Sequence, residues 1–233
     1  MANKTIYPYG TAGETPAGIW SDSLTEMQAV LDSLAPLAFK DNTPEPPAGA
    51  NFLTYGTPTF NGNIYYPDTN NFGFIYTDQI FNPGAGTSWI IQTRIKYLTA
   101  EAWKDIISTA NTTTASLTYS IVSQTTTNNN NRQYALYVSG NGSSWNALNA
   151  ECKGSLPINS WVTFQIVCTY SNGTYSFKQG YPESGSWTNV YSTSTAPYYA
   201  YPIAFGRNMI NAEYDLSETK IWVGEQLWWQ AID

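Results

Sequence analysis

The sequence contains no histidine and only two cysteines among its 233 residues. Without an imidazole, the chain cannot form a Ser-His-Asp triad, a Cys-His pair or any zinc site that includes histidine. Two cysteines are too few for a four-cysteine zinc site, and in a chain of this length they do not make a disulfide framework. These counts exclude such zinc sites, and we expect no cofactor.

Charged residues are also scarce, and most of them are acidic. The chain has 10 Lys and Arg residues against 17 Asp and Glu residues, which gives a net charge of −7 and a charged fraction of 12%. Proteins that bind nucleic acids or anionic membrane surfaces need a basic face, so we expect no nucleic-acid partner. No stretch approaches the roughly 18 apolar residues that a membrane span requires, and we expect no membrane insertion.

Aromatic residues, by contrast, are abundant: 18 Tyr, 9 Trp and 9 Phe make up 15% of the sequence. Together with frequent Thr, Ser and Asn, this composition is typical of a folded β-rich protein, because aromatic and β-branched side chains suit a pleated, half-buried surface. The length fits one large all-β domain with an extension, or two small domains.

Residues 1–45 differ from the rest because they contain the one convincing helical pattern. The run Ser23-Leu-Thr-Glu26 matches a capping box. Four apolar residues at spacings of three, four and three occupy a and d positions of two heptads: Leu24, Met27, Leu31 and Leu34. Two interpretations stay open, a short helix docked on its own domain or the oligomerising seam of a homotrimer.

The Pro-rich run 42–49 follows this helix and predicts a linker. We therefore divide the chain into an N-terminal attachment and oligomerisation arm, 1–45, and a β-domain, 46–233.

From Asn51 onward, period-two alternation replaces any helical period, which predicts an all-β structure. The clearest strands are Trp89–Tyr97 and 161–170, and Asn172-Gly173 joins the second to a strand at 174–178, because Asn-Gly between alternating runs is a strong hairpin signal. Further strands are predicted at 72–77, 117–124, 133–139, 187–191, 203–206, 215–223 and 226–229. The polar tract 125–131 is predicted to be an exposed loop.

Cys168 belongs to the alternating strand 161–170, on the apolar face that also carries Phe164 and Ile166. That position predicts a buried structural thiol rather than a reactive one. A disulfide with Cys152 would require that residue's strand to be a neighbour.

Six short motifs in residues 50–233 follow one another in a characteristic order. They are Phe60-Asn-Gly62, Ser88-Trp-Ile-Ile-Gln-Thr-Arg-Ile95, Ser160-Trp-Val-Thr-Phe-Gln-Ile166, Tyr175-Ser-Phe-Lys178, Pro202-Ile-Ala-Phe-Gly206 and Tyr214-Asp-Leu-Ser-Glu-Thr-Lys-Ile-Trp222. In this order the chain resembles the concanavalin A-like, laminin-G-type jelly rolls. The resemblance implies an all-β, two-sheet antiparallel jelly-roll sandwich, a fold shared by lectins, carbohydrate-binding modules and some glycosidases.

The motif Ile6-Tyr-Pro-Tyr-Gly-Thr11, which the predicted helix follows, resembles the start of appendage and head-fibre proteins of tailed phages from gut bacteria. The ending Leu227-Trp-Trp229 resembles laminin-G-type domains of phages from the same source. This resemblance implies a non-enzymatic virion structural protein, a head fibre or tail appendage, made in the host cytoplasm and displayed on the virion surface. Its arm would contact other virion proteins, and its lectin-like domain would bind host or mucosal carbohydrate. The alternatives are a secreted carbohydrate-binding module and a glycoside hydrolase of the same superfold.

The string Glu213-Tyr-Asp215-Leu-Ser-Glu218 is similar to the catalytic motif of laminarinase-type glycosidases. Retaining hydrolysis needs two carboxylates about 5 Å apart. Alternation places Glu213 and Asp215 on one face of a strand, whereas Glu218 would need a bulge to join them. We therefore predict no catalytic residue and no enzyme activity. The acidic residues Asp68, Asp78, Glu213 and Asp215 are expected to be solvated turn carboxylates rather than calcium ligands.

Aromatic residues outside the clearest strands are the best candidates for carbohydrate binding, because sugars offer apolar C–H faces to rings and hydroxyls to Asn, Thr and Ser. These candidates are Trp145, Trp187, Tyr198, Tyr199 and Tyr201. For the three tyrosines, core packing and ligand contact both stay open. The aromatic residues at strand positions are assigned to packing between the sheets: Trp89, Trp161, Phe164, Tyr175, Phe177, Trp222 and Trp229.

Overall fold

The computed structural model describes residues 46–67, 73–111, 117–182, 191–209 and 211–232. The predicted arm 1–45, with Leu24, Met27, Leu31 and Leu34, lies outside the described residues, and so does the strand predicted at 187–191 except for its last residue. No helix in the described ranges is long and apolar enough to cross a membrane.

Within these ranges the chain forms fifteen β-strands and a single helical turn. In chain order they are β1 (Phe52–Tyr55), β2 (Thr59–Asn61), β3 (Ile64–Tyr66), β4 (Phe74–Thr77), β5 (Trp89–Tyr97), β6 (Asp105–Ala110), β7 (Leu117–Thr125), α1 (Asn128–Asn131), β8 (Gln133–Val138), β9 (Leu148–Ser155), β10 (Trp161–Ser171), β11 (Thr174–Gly180), β12 (Tyr191–Thr193), β13 (Ile203–Phe205), β14 (Ala212–Val223) and β15 (Gln226–Gln230).

The strands pair into two antiparallel sheets. The first sheet has seven strands in the order β1-β4-β13-β6-β7-β8-β9. The second has eight, in the order β12-β11-β10-β5-β14-β3-β2, with β15 paired to β14 beside this path. Strands that are distant in sequence are neighbours in both sheets, so the chain passes repeatedly from one sheet to the other. This confirms the predicted all-β, two-sheet sandwich.

The hydrophobic core lies between the sheets, where alternate residues of each strand point inward. Cys168 of β10 is fully buried and pairs in register with Trp89 of β5 and Phe177 of β11. The Cys168 thiol is free, as expected for a structural cysteine. The backbone of Cys152 belongs to β9 at the edge of the other sheet, so its strand is not a neighbour of β10.

The β10–β11 hairpin confirms the turn predicted at Asn172-Gly173. Both residues have positive φ, +50° at Asn172 and +78° at Gly173, as a two-residue hairpin turn with the twist of the flanking strands requires. Seven residue pairs then hold the two strands in register, from Ser171 opposite Thr174 to Gln165 opposite Gly180.

The prediction of an exposed loop at 125–131 was wrong at its beginning. β7 continues to Thr125, and the side chains of Thr125 and Thr126 are both buried. The Thr125 hydroxyl donates to the carbonyl of Glu101 and accepts from the backbone N–H of Lys104, so a neighbouring loop satisfies the polar groups that the composition had suggested were solvated. α1 follows within the same tract.

Candidate functional site

Two loops meet at one end of the first sheet. One follows β8 and spans 139–146, and the other precedes β13 and spans 194–202. The backbone N–H of Tyr198 donates to the carbonyl of Ser139 at 2.7 Å. The hydroxyl of Ser120, in β7, donates to the carbonyl of Tyr198. We call the region where they meet the Tyr198 surface, defined by Asn141, Ser143, Trp145, Tyr198 and Tyr201.

The loop 139–146 is held in shape by its own side chains. The Oδ1 atom of Asn141 accepts from the backbone N–H groups of Ser143 and Ser144 at 3.0 and 3.1 Å. The Oδ1 atom of Asn146 accepts from the backbone N–H of Gly140 at 2.7 Å. Asn and Ser side chains commonly replace backbone partners in turns in this way. The loop is therefore ordered before any ligand arrives, which lowers the entropic cost of binding.

Tyr198 lies over this loop with its ring partly in solvent. Its side chain is 39% exposed, and its ring contacts that of Tyr201 edge to face at 6.4 Å. Gly142 makes the close approach possible, because its φ is +74° and a Cβ atom there would lie 2.7 Å from Cε1 of Tyr198. Only glycine meets both requirements without strain.

Trp145 lies on the same loop, three residues after Gly142. Its ring is half-buried and packs at 5.6 Å from that of Tyr137, which β8 presents on the outer side of the first sheet. One polar loop therefore carries Trp145 and packs against Tyr198. The exposed residues Asn141, Ser143, Ser144 and Asn146 lie along the same loop.

Tyr199 points to the other side of the loop 194–202, toward the core of the sandwich. The indole N–H of Trp89 donates to the Tyr199 hydroxyl at 2.8 Å, and the ring of Phe81 meets that of Tyr199 edge to face at 5.7 Å. Burial raises the pKa of Tyr199 above its ordinary value. Of the two open interpretations for the tyrosines, the geometry places Tyr199 in core packing and Tyr198 and Tyr201 at the surface. Trp187 lies outside the described residues.

Two tryptophans assigned to the core from their strand positions, Trp161 and Trp222, lie on the outer face of the second sheet, and that assignment was wrong. Both side chains are only half-buried, whereas Phe164 of β10 and Ile221 of β14 are buried between the sheets. Residues an odd number of positions apart in a strand point to opposite faces. Trp161 is three residues from Phe164 and Trp222 is one from Ile221, so both tryptophans face outward.

Trp103 was missed altogether. It is 53% exposed and its φ is +61°, which is rare for a bulky residue. The backbone carbonyl of Trp103 accepts from Asn208 at 3.5 Å. The rule that selected Trp145, an aromatic residue outside a clear strand, applies equally to Trp103.

The three carboxylates of the glycosidase-like string each have a cationic neighbour. Lys96 lies 3.3 Å from Glu213, Arg94 lies 3.6 Å from Asp215, and Lys220 lies 3.8 Å from Glu218. The pairing of β14 with β5 shifts between Asp215 and Lys220, so an irregularity does occur in the stretch that contains Glu218. The result is a ladder of ion pairs on a sheet face. A retaining glycosidase instead needs one carboxyl held protonated beside a second that is free to attack.

The described acidic residues considered for calcium do not gather into a metal site. In the described part of the chain, no three Asp, Glu or Cys side chains come together as metal ligands. Glu213 and Asp215 face the cations just named, and Asp68 is not among the described residues.

No protein-family model matches the sequence, and no curated protein matches it either. Solved structures do match the fold. The carbohydrate recognition domain of Emp47p is 11% identical with a TM-score of 0.52, over 78% of this chain and 92% of that one. The Ca2+-bound exoplasmic/lumenal domain of VIP36 is 14% identical with a TM-score of 0.50, over 77% and 88%. A glycosyl hydrolase family protein from Mycobacterium fortuitum reaches a TM-score of 0.36.

At these identities the likeness shows the fold alone. The β-domain therefore has the two-sheet, concanavalin A-like jelly-roll fold that the ordered motifs in the sequence implied.

Proposed function

We propose that the β-domain is a non-enzymatic carbohydrate-binding module and that it binds sugar at the Tyr198 surface. The observation that carries this proposal is that the ordered polar loop 139–146 carries Trp145 and packs against Tyr198 of the loop 194–202. The sequence analysis predicts both residues as carbohydrate-binding candidates, because their aromatic rings can pack against the C–H faces of a sugar. Two aromatic rings beside the polar side chains of one ordered loop suit a small sugar site.

The chemistry of the surface suits a neutral sugar. The Tyr198 ring offers a flat apolar area to the C–H face of a pyranose, and it loses little conformational entropy because it has only two side-chain torsions. The Ser143 hydroxyl and the Asn141 amide N–H that does not donate to Ser144 are on exposed side chains and can exchange hydrogen bonds with sugar hydroxyls. The similarity in fold to the Emp47p carbohydrate recognition domain supports the same class of ligand.

Binding of soluble oligosaccharides to the full chain tests the proposal by isothermal titration calorimetry. We expect Tyr198→Ala to weaken binding about tenfold, or about 1.4 kcal/mol, while the β-domain stays folded and loses only the contact with Tyr201, about 0.5 to 1.5 kcal/mol. Tyr170→Ala is a matched control, because Tyr170 has a similar exposure of 36% but belongs to β10 in the other sheet. Equal affinities in the two variants would contradict a site at Tyr198.

We also propose that the module does not hydrolyse its ligand. The ion-pair ladder at Glu213, Asp215 and Glu218 supports this proposal, because it neutralises each carboxylate of the glycosidase-like string. Wild-type turnover of any β-glucan that disappears in Glu218→Gln would overturn it.

At a finer level we propose that the chain is a homotrimeric virion appendage, with the arm 1–45 bound to other virion proteins. This proposal rests on the two terminal motifs and on the heptad pattern of Leu24, Met27, Leu31 and Leu34. Leu31→Asp should dissociate the trimer in sedimentation experiments, because three carboxylates would be buried at one axis. A wild-type chain that stays monomeric at high concentration would contradict the seam. Flanking polysaccharide-degradation genes in place of capsid or tail genes would favour the secreted module instead.

A further inference from the structure

The outer face of the second sheet has a regular arrangement across β10, β5 and β14. Residues opposite one another in these strands form four rows, each of which runs across the sheet. The rows are Trp161, Lys96 and Glu213; Thr163, Arg94 and Asp215; Gln165, Gln92 and Lys220; and Val167, Ile90 and Trp222. The first two rows contain the ion pairs Lys96–Glu213 and Arg94–Asp215 and the contacts of both cations with the Trp161 ring, at 5.6 Å for Arg94 and 6.0 Å for Lys96.

Four residues of the last two rows and two of the β14–β15 turn line a groove with a volume of about 320 Å³. This lies at the lower end of the range of about 300 to 1,000 Å³ for small-molecule sites. The β14–β15 turn closes the groove at one side. Its lining consists of Ile90, Gln92, Gln165, Trp222, Gly224 and Glu225.

A pair of glutamines fixes the polar floor of this groove. The Nε2 atom of Gln165 donates to Oε1 of Gln92 at 2.7 Å, and Nε2 of Gln92 donates to the backbone carbonyl of Glu218 at 3.3 Å. Both bonds hold the amides in one orientation. Each Nε2 group has a second N–H, and Oε1 of Gln165 accepts no hydrogen bond from any described residue. The floor therefore presents ordered donors and an acceptor to the groove.

Two further groups in the groove lack partners within the described ranges. Trp222 is half-buried, and its indole N–H has no hydrogen bond to a described residue. Glu225 is exposed, and among the ion pairs of the described residues none includes it. An indole face, two amides and one carboxylate match the C–H face and the hydroxyls of a neutral sugar. Glu225 is the charged residue that lines the groove, so an anionic ligand is disfavoured.

We propose that this groove is a second sugar site, on the opposite sheet from the Tyr198 surface and independent of it. The inference rests on the proposed carbohydrate-binding function and adds to it a second point of attachment on the same chain. Trp222 is the stacking platform, and Gln92 and Gln165 supply the hydrogen bonds that orient the ring. Two weak sites on one chain, multiplied in any oligomer, increase avidity for a glycan-covered surface without stronger single contacts.

The test is a calorimetric titration of the full chain with four hexasaccharides, linked β-1,3-glucose, β-1,4-glucose, α-1,6-mannose and β-1,4-N-acetylglucosamine. We expect wild type to bind one of these probes at two sites per chain. Trp222→Ala should lose one site, seen as an affinity at least about tenfold weaker, while Tyr198→Ala loses the other. Trp161→Ala is the matched control, because it removes the same residue type from the same face three rows away.

Two more variants protect the test against a general loss of structure. Trp222→Phe and Gln165→Ala keep most of the packing. Each variant should lower the sugar affinity of the groove and leave the sugar affinity of the Tyr198 surface unchanged. The indole 1H–15N resonance of Trp222 should shift on titration with the same probe, and that of Trp161 should not.

The outcomes separate the two sites. A single site per chain that Tyr198→Ala abolishes and Trp222→Ala leaves intact overturns the groove while the proposed function stands. A single site that Trp222→Ala alone abolishes supports the groove and overturns the Tyr198 surface. No binding of any probe by wild type overturns both. The groove could instead contact a second copy of the chain, and sedimentation of wild type and Trp222→Ala tests this alternative. If Trp222→Ala self-associates less but binds sugar as wild type does, this face is a contact between copies of the chain and the sugar site is wrong.

Discussion

Replacing Gly142 with alanine should weaken sugar binding at the Tyr198 surface while the β-domain stays folded. Gly142 has a φ of +74°, and an added Cβ atom would lie 2.7 Å from Cε1 and 3.0 Å from Cδ1 of Tyr198. Carbon atoms pack at about 3.5 to 4.0 Å, so the ring has to move. Because Tyr198 is 39% exposed, its ring can swing outward while the backbone of the loop stays in place.

Two costs contribute to the expected loss of stability. An L-residue in the left-handed region costs about 1 to 2 kcal/mol. Displacement of the Tyr198 ring removes its edge-to-face contact with Tyr201, which adds about 0.5 to 1.5 kcal/mol. A domain of ordinary stability, about 5 to 15 kcal/mol, survives the sum of the two.

Gly173→Ala separates the two costs. Gly173 has a φ of +78°, almost the same as Gly142, but an added Cβ atom there would meet nothing within 4 Å. Urea denaturation should show the backbone cost in both variants and the additional cost in Gly142→Ala alone. Titration with oligosaccharides should give wild-type affinity for Gly173→Ala and about tenfold weaker binding for Gly142→Ala. If both variants bind sugar as wild type does, the position of the Tyr198 ring does not determine binding and the proposed site is wrong.

Three other expectations concern the interior. Tyr199→Phe should lower the free energy of unfolding by about 1 to 2 kcal/mol and leave sugar binding unchanged, because it removes the acceptor of the buried Trp89 indole N–H; unchanged stability in urea would refute this. The Cys168 thiol should react with a thiol reagent only on unfolding, since burial raises its pKa to about 12; rapid labelling of the native chain would contradict it. Burial raises the pKa of Asp105 from 3.8 to about 6, against the opposing effect of Arg207, so the folded state holds the extra proton between these values. Stability should therefore fall as pH rises from about 4 to about 6, by on the order of 3 kcal/mol, and Asp105→Asn should remove this slope in denaturation series.

The strands that were predictable from the sequence are those with one buried and one solvated side. β5, β10 and β14 alternate clearly because their outer residues, such as Arg94 and Asp215, face water. β6 was not predicted, and its six residues from Asp105 to Ala110 are all buried. A strand covered on both sides has no polar alternation, so its sequence carries no period to recognise.

The short strands β1, β2 and β3 escaped prediction for a different reason. They have three or four residues each, too few for an alternating pattern to stand out. Long-range pairing defines them instead, since β3 pairs with β14 through Tyr65 opposite Tyr214. The hydroxyl of buried Tyr65 donates to the carbonyl of Phe205 in the other sheet at 3.1 Å, a contact that no local pattern reveals.

Tyr198 and Tyr199 show why the candidate site was predictable in composition but not in detail. Successive side chains of an extended segment point to opposite sides, so one of two adjacent tyrosines faces the core and the other faces solvent. The sequence shows that the two tyrosines face opposite sides, but it does not show which of them faces the core. Trp89 determines that Tyr199 is the inward residue, because the buried indole N–H of Trp89 needs an acceptor and the Tyr199 hydroxyl provides one. With Tyr199 held inside by that bond, Tyr198 has to point outward, and the exposure of the proposed sugar platform follows from the burial of a tryptophan in the opposite sheet.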